Sequence, residues 1–91
     1  MNYKVFYHEL VVKEDLPKLG QRIKLQIKKA IETRLMASPE IFGKPLRRSL
    51  RGYRKLRAGD YCVIFSIQGN KVKIFIIGHR SMVYEKIRAR L

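Results

Sequence analysis

LRAGDYCVIFSIQGNKVKIFII, residues 56–77, is the stretch on which the fold turns. Tyr61, Val63, Phe65 and Ile67 alternate with their neighbours, so they share one face of a strand over Tyr61–Ile67. Gly69-Asn70 supplies a turn, and the run from Val72 to Ile77 is almost wholly apolar. A strand with that pattern is buried on both faces. Upstream, Gly59-Asp60 is a second turn signal, which predicts another strand over about Tyr53–Arg57. Three strands joined in this way, Tyr53–Arg57, Tyr61–Ile67 and Lys71–Ile77, form an antiparallel sheet.

Working outward, Tyr3–His8 alternates as a short strand, with Val5 and Tyr7 on one face and Lys4, Phe6 and His8 on the other. Val11–Leu19 reads as one or two helical turns broken by Pro17, and Gly20 punctuates the join. From Gln21 to Ala37 the period becomes helical: Ile23, Ile27, Ala30, Ile31 and Leu35 make an apolar stripe, and Arg22, Lys24, Lys28, Lys29 and Arg34 cover the rest. Ser38-Pro39 ends that helix, because a residue before proline disfavours helical geometry. Ile41–Arg51, IFGKPLRRSLR, reads as a basic connector, and Ser81–Arg90 as a short final helix. The expected fold is α+β, in the order β-α-α-β-β-β-α. A small antiparallel sheet of about four strands carries two N-terminal helices packed on one face, followed by the short C-terminal helix. Residues 1–91 make one domain.

Charge is the informative part of the composition. Lys and Arg total 21 against 7 Asp and Glu, a net +14 on 91 residues. Like charges at that density repel, and a polyanionic partner relieves the repulsion. Nucleic acid, an acidic protein and an anionic surface all qualify, as does a face that is basic for solubility alone. With 46% hydrophobic residues the chain can bury a modest core without disulfides, and its single Cys62 cannot form an internal bridge. No run reaches the roughly 18 apolar residues of a membrane span. The opening MNYKVFYHEL lacks the apolar centre of a signal peptide. Cytoplasmic residence without membrane attachment is the expectation.

One Cys and two distant His, His8 and His79, offer no metal-ligand cluster, and no glycine-rich phosphate loop is present. No cofactor is expected. A Cys62–His79 nucleophilic pair is open in principle, but Cys62 lies inside an apolar strand pattern where a buried thiol is commoner. The remaining constellation is cationic. Lys55 and Arg57, two apart in a strand, project together from one face while Leu56 points to the other. Arg80 and Tyr84, four apart, stack on one side if a helix begins there. If the strands are neighbours, these four groups converge on a basic patch; otherwise Lys55 and Arg57 are ordinary solvated residues and Tyr84 packs the last helix on the sheet.

Three spaced motifs run through this part of the chain. They are Gly43-Lys44-Pro45-Leu46, then Leu50-Arg51-Gly52, then Leu56-Arg57-Ala58-Gly59-Asp60-Tyr61-Cys62-Val63-Ile64-Phe65. A fourth, Ile77-Gly78-His79-Arg80-Ser81-Met82-Val83-Tyr84, follows. Together they resemble the signature of the RelE/ParE toxin superfamily of type II toxin–antitoxin systems, and the resemblance extends over essentially the whole chain. It implies one of two activities. RelE-like members enter the ribosomal A site and cut mRNA without a metal; ParE-like members inhibit DNA gyrase without cutting RNA. Both are held inactive by an acidic antitoxin, often in a hetero-oligomer.

Arg80 and Tyr84 match the arginine and tyrosine that RelE-like enzymes keep near the C-terminus, which favours the endoribonuclease branch. The partners then implied are a cognate acidic antitoxin, mRNA in the A site and rRNA. Attack of a ribose 2′-OH on its own phosphate needs a proton acceptor, cationic stabilisation of the phosphorane and a proton donor for the leaving 5′-oxygen. The resemblance assigns Lys55 to phosphate stabilisation or proton transfer, Arg57 to the backbone phosphate, Arg80 to the transition state, and Tyr84 to orienting or stacking the nucleotide or carrying a proton. Lys44, Arg47, Arg48, Arg51, Arg54 and His79 are the accompanying RNA-binding candidates. One departure stands out. Cys62 occupies the place where the family has an arginine that contributes to catalysis, and a thiol cannot replace a fixed charge. Arg54 or Arg57 compensates, or activity is reduced, or the chain follows the gyrase-inhibitor branch. A general RNA- or DNA-binding domain is a third reading, although residues 47–57 carry no aromatic residue besides Tyr53 for base stacking.

Overall fold

The alternation at 61–67 and the apolar run after Gly69 become the two longest strands of the sheet in a computed structural model describing residues 3–91. In chain order the elements begin with β1 (Lys4–Tyr7) and a helical segment made of Val11–Asp15 and Leu16–Lys18. Next come α1 (Gln21–Ala30), continued by a wider turn over Ile31–Leu35, then α2 (Pro39–Phe42) and β2 (Lys44–Pro45). A tight turn at Arg48–Leu50 leads to β3 (Arg54–Ala58), β4 (Tyr61–Gln68), β5 (Lys71–His79) and α3 (Val83–Arg90).

The α+β class holds, with two corrections. The sheet has five strands in the order β1-β5-β4-β3-β2, and it is mixed: β1 lies parallel to β5, while β2, β3, β4 and β5 pair antiparallel. The extra strand is β2, two residues long, which pairs Lys44 with Lys55 and Pro45 with Arg54 inside the expected connector. The start of that connector is overlapped by α2, which begins earlier, on Pro39, a residue suited to the first helical turn. The helix expected to run to Ala37 keeps its apolar stripe but widens after Ala30, where the Met36 N–H reaches the Ile31 carbonyl.

Both faces of the sheet are covered. On one face Val11, Leu19, Ile27, Ala30, Ile31 and Leu35 bury against Leu56, Ala58, Val63, Phe65, Val72, Ile74 and Ile77. On the other, Val83 and Ile87 of α3 and Leu50 close over Cys62, Ile64 and Ile76. The change of face along β5 has a local cause. The register shifts between Ile64 and Phe65, which pair with Ile76 and Ile74, so Phe75 is the extra residue of a bulge. Ile74 and Ile77 therefore share a face although they are three apart.

Beyond Ile74 the outer edge of β5 has no β1 partner. Asp15 and Arg90 close it. The Ile77 N–H donates to Asp15 Oδ2 at 2.9 Å, and Arg90 Nη1 donates to the Phe75 carbonyl at 2.9 Å. Arg90 also chelates the Asp15 carboxylate through both Nη atoms, at 2.8 and 3.0 Å. One buried ion pair thus ties the N-terminal helical segment, the sheet edge and the end of α3 together. Among the described residues no helix is long and apolar enough to cross a membrane.

Candidate functional site

Strand alternation and antiparallel register decide which cations meet. On the α3 face of the sheet, Lys44, Lys55, Ile64 and Ile76 lie in one row across β2, β3, β4 and β5. Arg57, Cys62 and Gly78 form the next row. Directly opposite residues of a ladder point to the same face, so Lys55 and Arg57 both leave the strand on the α3 face, although the Arg57 side chain, near the sheet edge, also borders a hollow with Gln26, Lys29 and Arg34 of the opposite helical layer. Arg80 follows at the end of β5. Its N–H donates to the Asp60 carbonyl at 2.8 Å, which pins it to the turn between β3 and β4, and its Nε lies 3.7 Å from the Asp60 carboxylate.

Tyr84 enters from the first turn of α3. Lys55 Nζ sits 5.3 Å from the centre of its ring, within cation–π range. The Arg57 Nε donates to the Gly59 carbonyl at 2.8 Å, which fixes the start of an otherwise exposed side chain. The buried Cys62 thiol senses all of this: burial pushes it up from the ordinary thiol range, while Lys55, Arg57 and Arg80 pull it down. Burial is the larger effect, so the thiol stays protonated at neutral pH beneath three cations. Among the described residues no group of His, Cys, Asp or Glu side chains is arranged to hold a metal ion.

The accompanying basic residues divide into two sets. Lys44 and Arg47 join Lys55 and Tyr84 around a groove of about 320 Å³ between α3 and the 44–50 segment. Arg54 points to the other face, where its Nη1 donates to the carbonyls of Gly43 at 3.0 Å and Glu40 at 3.3 Å and so braces α2 against β2. Arg51 and Arg54 border a separate hollow with Tyr3 and Tyr53. Arg48 is exposed at the tight turn with a positive φ of 58°. His79 pairs in register with Tyr61, stacks on it edge-to-face at 5.5 Å and takes the Ser81 N–H on Nδ1 at 3.2 Å. It therefore lies on the side away from Lys55 and Arg57.

With that geometry in place, comparison with known proteins is decisive. The family model for the ParE toxin of type II toxin–antitoxin systems matches residues 5–84. The chain belongs to the RelE/ParE toxin family. The toxin is similar to Toxin RelE of Mycobacterium tuberculosis, with 35% identity over 72 residues, or 77% of this chain and 74% of that protein. Its fold superimposes on the crystal structure of a RelBE toxin–antitoxin complex from the same organism with a TM-score of 0.81 and 31% identity, covering 89% of this chain and 94% of that one. It also matches free Escherichia coli toxin RelE, solved with two arginines replaced by alanine, at a TM-score of 0.73 and 25% identity, covering 100% of this chain and 99% of that one.

The structure adds residues that the sequence reading passed over. Arg88 of α3 lines the same groove as Lys44, Arg47, Lys55 and Tyr84. Its spacing of four from Tyr84 was the available signal, since such residues share a helix face. Asp15 and Arg90 left no such signal, because their pairing spans almost the full length of the toxin.

Proposed function

We propose that the toxin is a ribosome-dependent endoribonuclease that cuts mRNA in the A site by attack of a ribose 2′-OH on the adjoining phosphate. The observation that carries this reading is the register that sets Lys55 and Arg57 on the α3 face with Arg80 at the neighbouring strand end, and Lys55 Nζ lying over the Tyr84 ring. In the reaction, the 2′-oxygen bonds to phosphorus, the bond to the 5′-oxygen breaks, and a 2′,3′-cyclic phosphate and a 5′-hydroxyl end result. The protein must remove one proton, return one to the leaving oxygen and neutralise the phosphorane between. Lys55 stabilises the phosphorane or moves a proton in this reading. Arg80, half-exposed at the strand end, neutralises charge as it develops, and Arg57 holds a backbone phosphate. The Tyr84 ring offers a stacking wall for the nucleotide and a hydroxyl for proton transfer. The protein supplies these charges from its own side chains, so the reaction asks for no metal.

The partner in the resting state is an acidic antitoxin in a hetero-oligomer. The net charge of +14 supports this, as does the M. tuberculosis relative having been solved with its antitoxin. Primer extension on translating mRNA is the direct test. Codon-associated cuts appear with the toxin and fall by about 10²–10³ in Arg80→Ala, the usual cost of removing one transition-state donor. Two observations favour a second reading, inhibition of DNA gyrase: the matched family model is that of ParE, and Cys62 removes a cation from the site. Intact mRNA together with blocked supercoiling would establish that reading instead.

A further inference from the structure

Of the two arginines in the last turn of α3, one is spoken for and one is not. Arg90 turns inward and is neutralised by Asp15, with Glu14 a further 3.5 Å contact. Arg88 is exposed and, among the described residues, makes no ion pair or side-chain hydrogen bond. It faces the groove of about 320 Å³ shared with Lys44, Arg47, Lys55 and Tyr84. No acidic residue lines this groove. Its remaining walls are Pro45, Leu46 and Leu50. Four cations converging on one small groove without a counter-charge repel one another, and a bound anion relieves that repulsion.

The lining also says which anion fits. Cations at the rim suit a phosphate, and arginine matches phosphate through two parallel N–H donors. The apolar walls suit a sugar and base rather than a row of carboxylates. The groove opens directly from the Lys55–Tyr84 contact, so a strand whose scissile phosphate lies at Lys55, Arg57 and Arg80 would run straight into it. We propose that this groove is a single-nucleotide subsite, in which Arg88, with Lys44 and Arg47, holds the backbone phosphate next to the scissile one. The proposal rests on the ribonuclease reading and deepens it by making α3 a strand-positioning element as well as the carrier of Tyr84.

The test uses the intact toxin and a short single-stranded RNA, made uncleavable by 2′-O-methylation and carrying one uncharged methylphosphonate at each linkage in turn. For the wild type, one linkage beside the cleavage position weakens binding when neutralised. In Arg88→Ala that linkage becomes indifferent, and the slope of log K against log[salt] flattens by about 0.7, the share of one phosphate on a single strand. Arg88→Lys keeps the slope. On ribosomes, Arg88→Ala raises the toxin concentration for half-maximal cleavage by more than it lowers the plateau, the mark of lost binding rather than lost chemistry. Arg88 is exposed, so its variants should melt with the wild type, which confirms that folding is not being read. A salt slope and methylphosphonate profile identical to wild type would overturn the subsite, as would Arg88→Ala weakening only an acidic peptide. Absence of cleavage by the wild type would overturn the ribonuclease reading instead, while the binding scan still decides the groove.

Discussion

Replacing Arg90 with Met should come close to unfolding this toxin, although Arg90 touches neither the Lys55–Arg57–Arg80 cations nor the proposed subsite. The Arg90 side chain is 6% exposed and that of Asp15 1%. Arg90→Met therefore leaves a carboxylate in the interior with only the Ile77 N–H against it, and the Phe75 carbonyl without its donor. Breaking one side of a buried pair typically costs about 3–5 kcal/mol, because the remaining charge is uncompensated. A chain of this length has roughly 5–14 kcal/mol of total stability. The loss is thus a large fraction of the whole and amounts to a fall in Tm of at least about 12 °C. Asp15→Asn combined with Arg90→Met removes both charges and keeps an amide oxygen for the Ile77 N–H. That double variant should regain about 2 kcal/mol over Arg90→Met alone, the sign of coupled neighbours. Urea unfolding followed by circular dichroism reads both numbers. If Arg90→Met costs less than about 1 kcal/mol, or the double variant is no better than the single, the pair is not the closed charge unit argued here.

Cys62 serves as an internal probe of the site: since Lys55, Arg57 and Arg80 each lower its thiol pKa, Lys55→Ala should move the titration of thiolate absorbance to higher pH. An unchanged titration would mean that Lys55 does not reach this position. The same thiol, held protonated by burial, gives a stability contribution that is complete below the unfolded thiol range and is lost as pH rises through the folded value. Unfolding free energy should therefore decline at alkaline pH, and Cys62→Ala should remove that part of the decline. Gly43→Ala should cost about 1–3 kcal/mol, because a Cβ there would strike the ring of the fully buried Phe65, which has no room to yield. A melting curve that matches the wild type would refute that contact.

The parts of the fold that depend on neighbours in sequence were legible. Val63 and Phe65 alternate onto one face because β4 is regular there, and Gly59 and Gly69 adopt the positive φ that tight turns require. The same alternation that sets Lys55 beside Arg57 sets Arg54 beside Leu56, so the placement of Arg54 on the α1 face could have been read. Its use was not legible, because its carbonyl partners belong to the α2–β2 junction. The parallel partnership of β1 with β5 was hidden for a different reason. Alternation identifies a strand but carries no direction, and the pairing of Lys4 with Lys71 is formed across the whole intervening chain. β2 is too short to have a period at all.

The exchange at Cys62 now has a physical reading. An arginine at this position would rise from the row between Arg57 and Gly78 onto the α3 face of the sheet. The thiol instead lies 1% exposed against Leu50, Val83 and Ile87, as part of the packing that fastens α3 to the sheet. Held neutral by its burial, it contributes no charge to this face. What it contributes is contact beneath the helix that carries both Tyr84 and Arg88. The neutral thiol seats α3 on the sheet, and α3 brings a cation, Arg88, to the same face four residues beyond Tyr84. Charge at this site is consequently less a property of any one strand position than of the sheet and helix together.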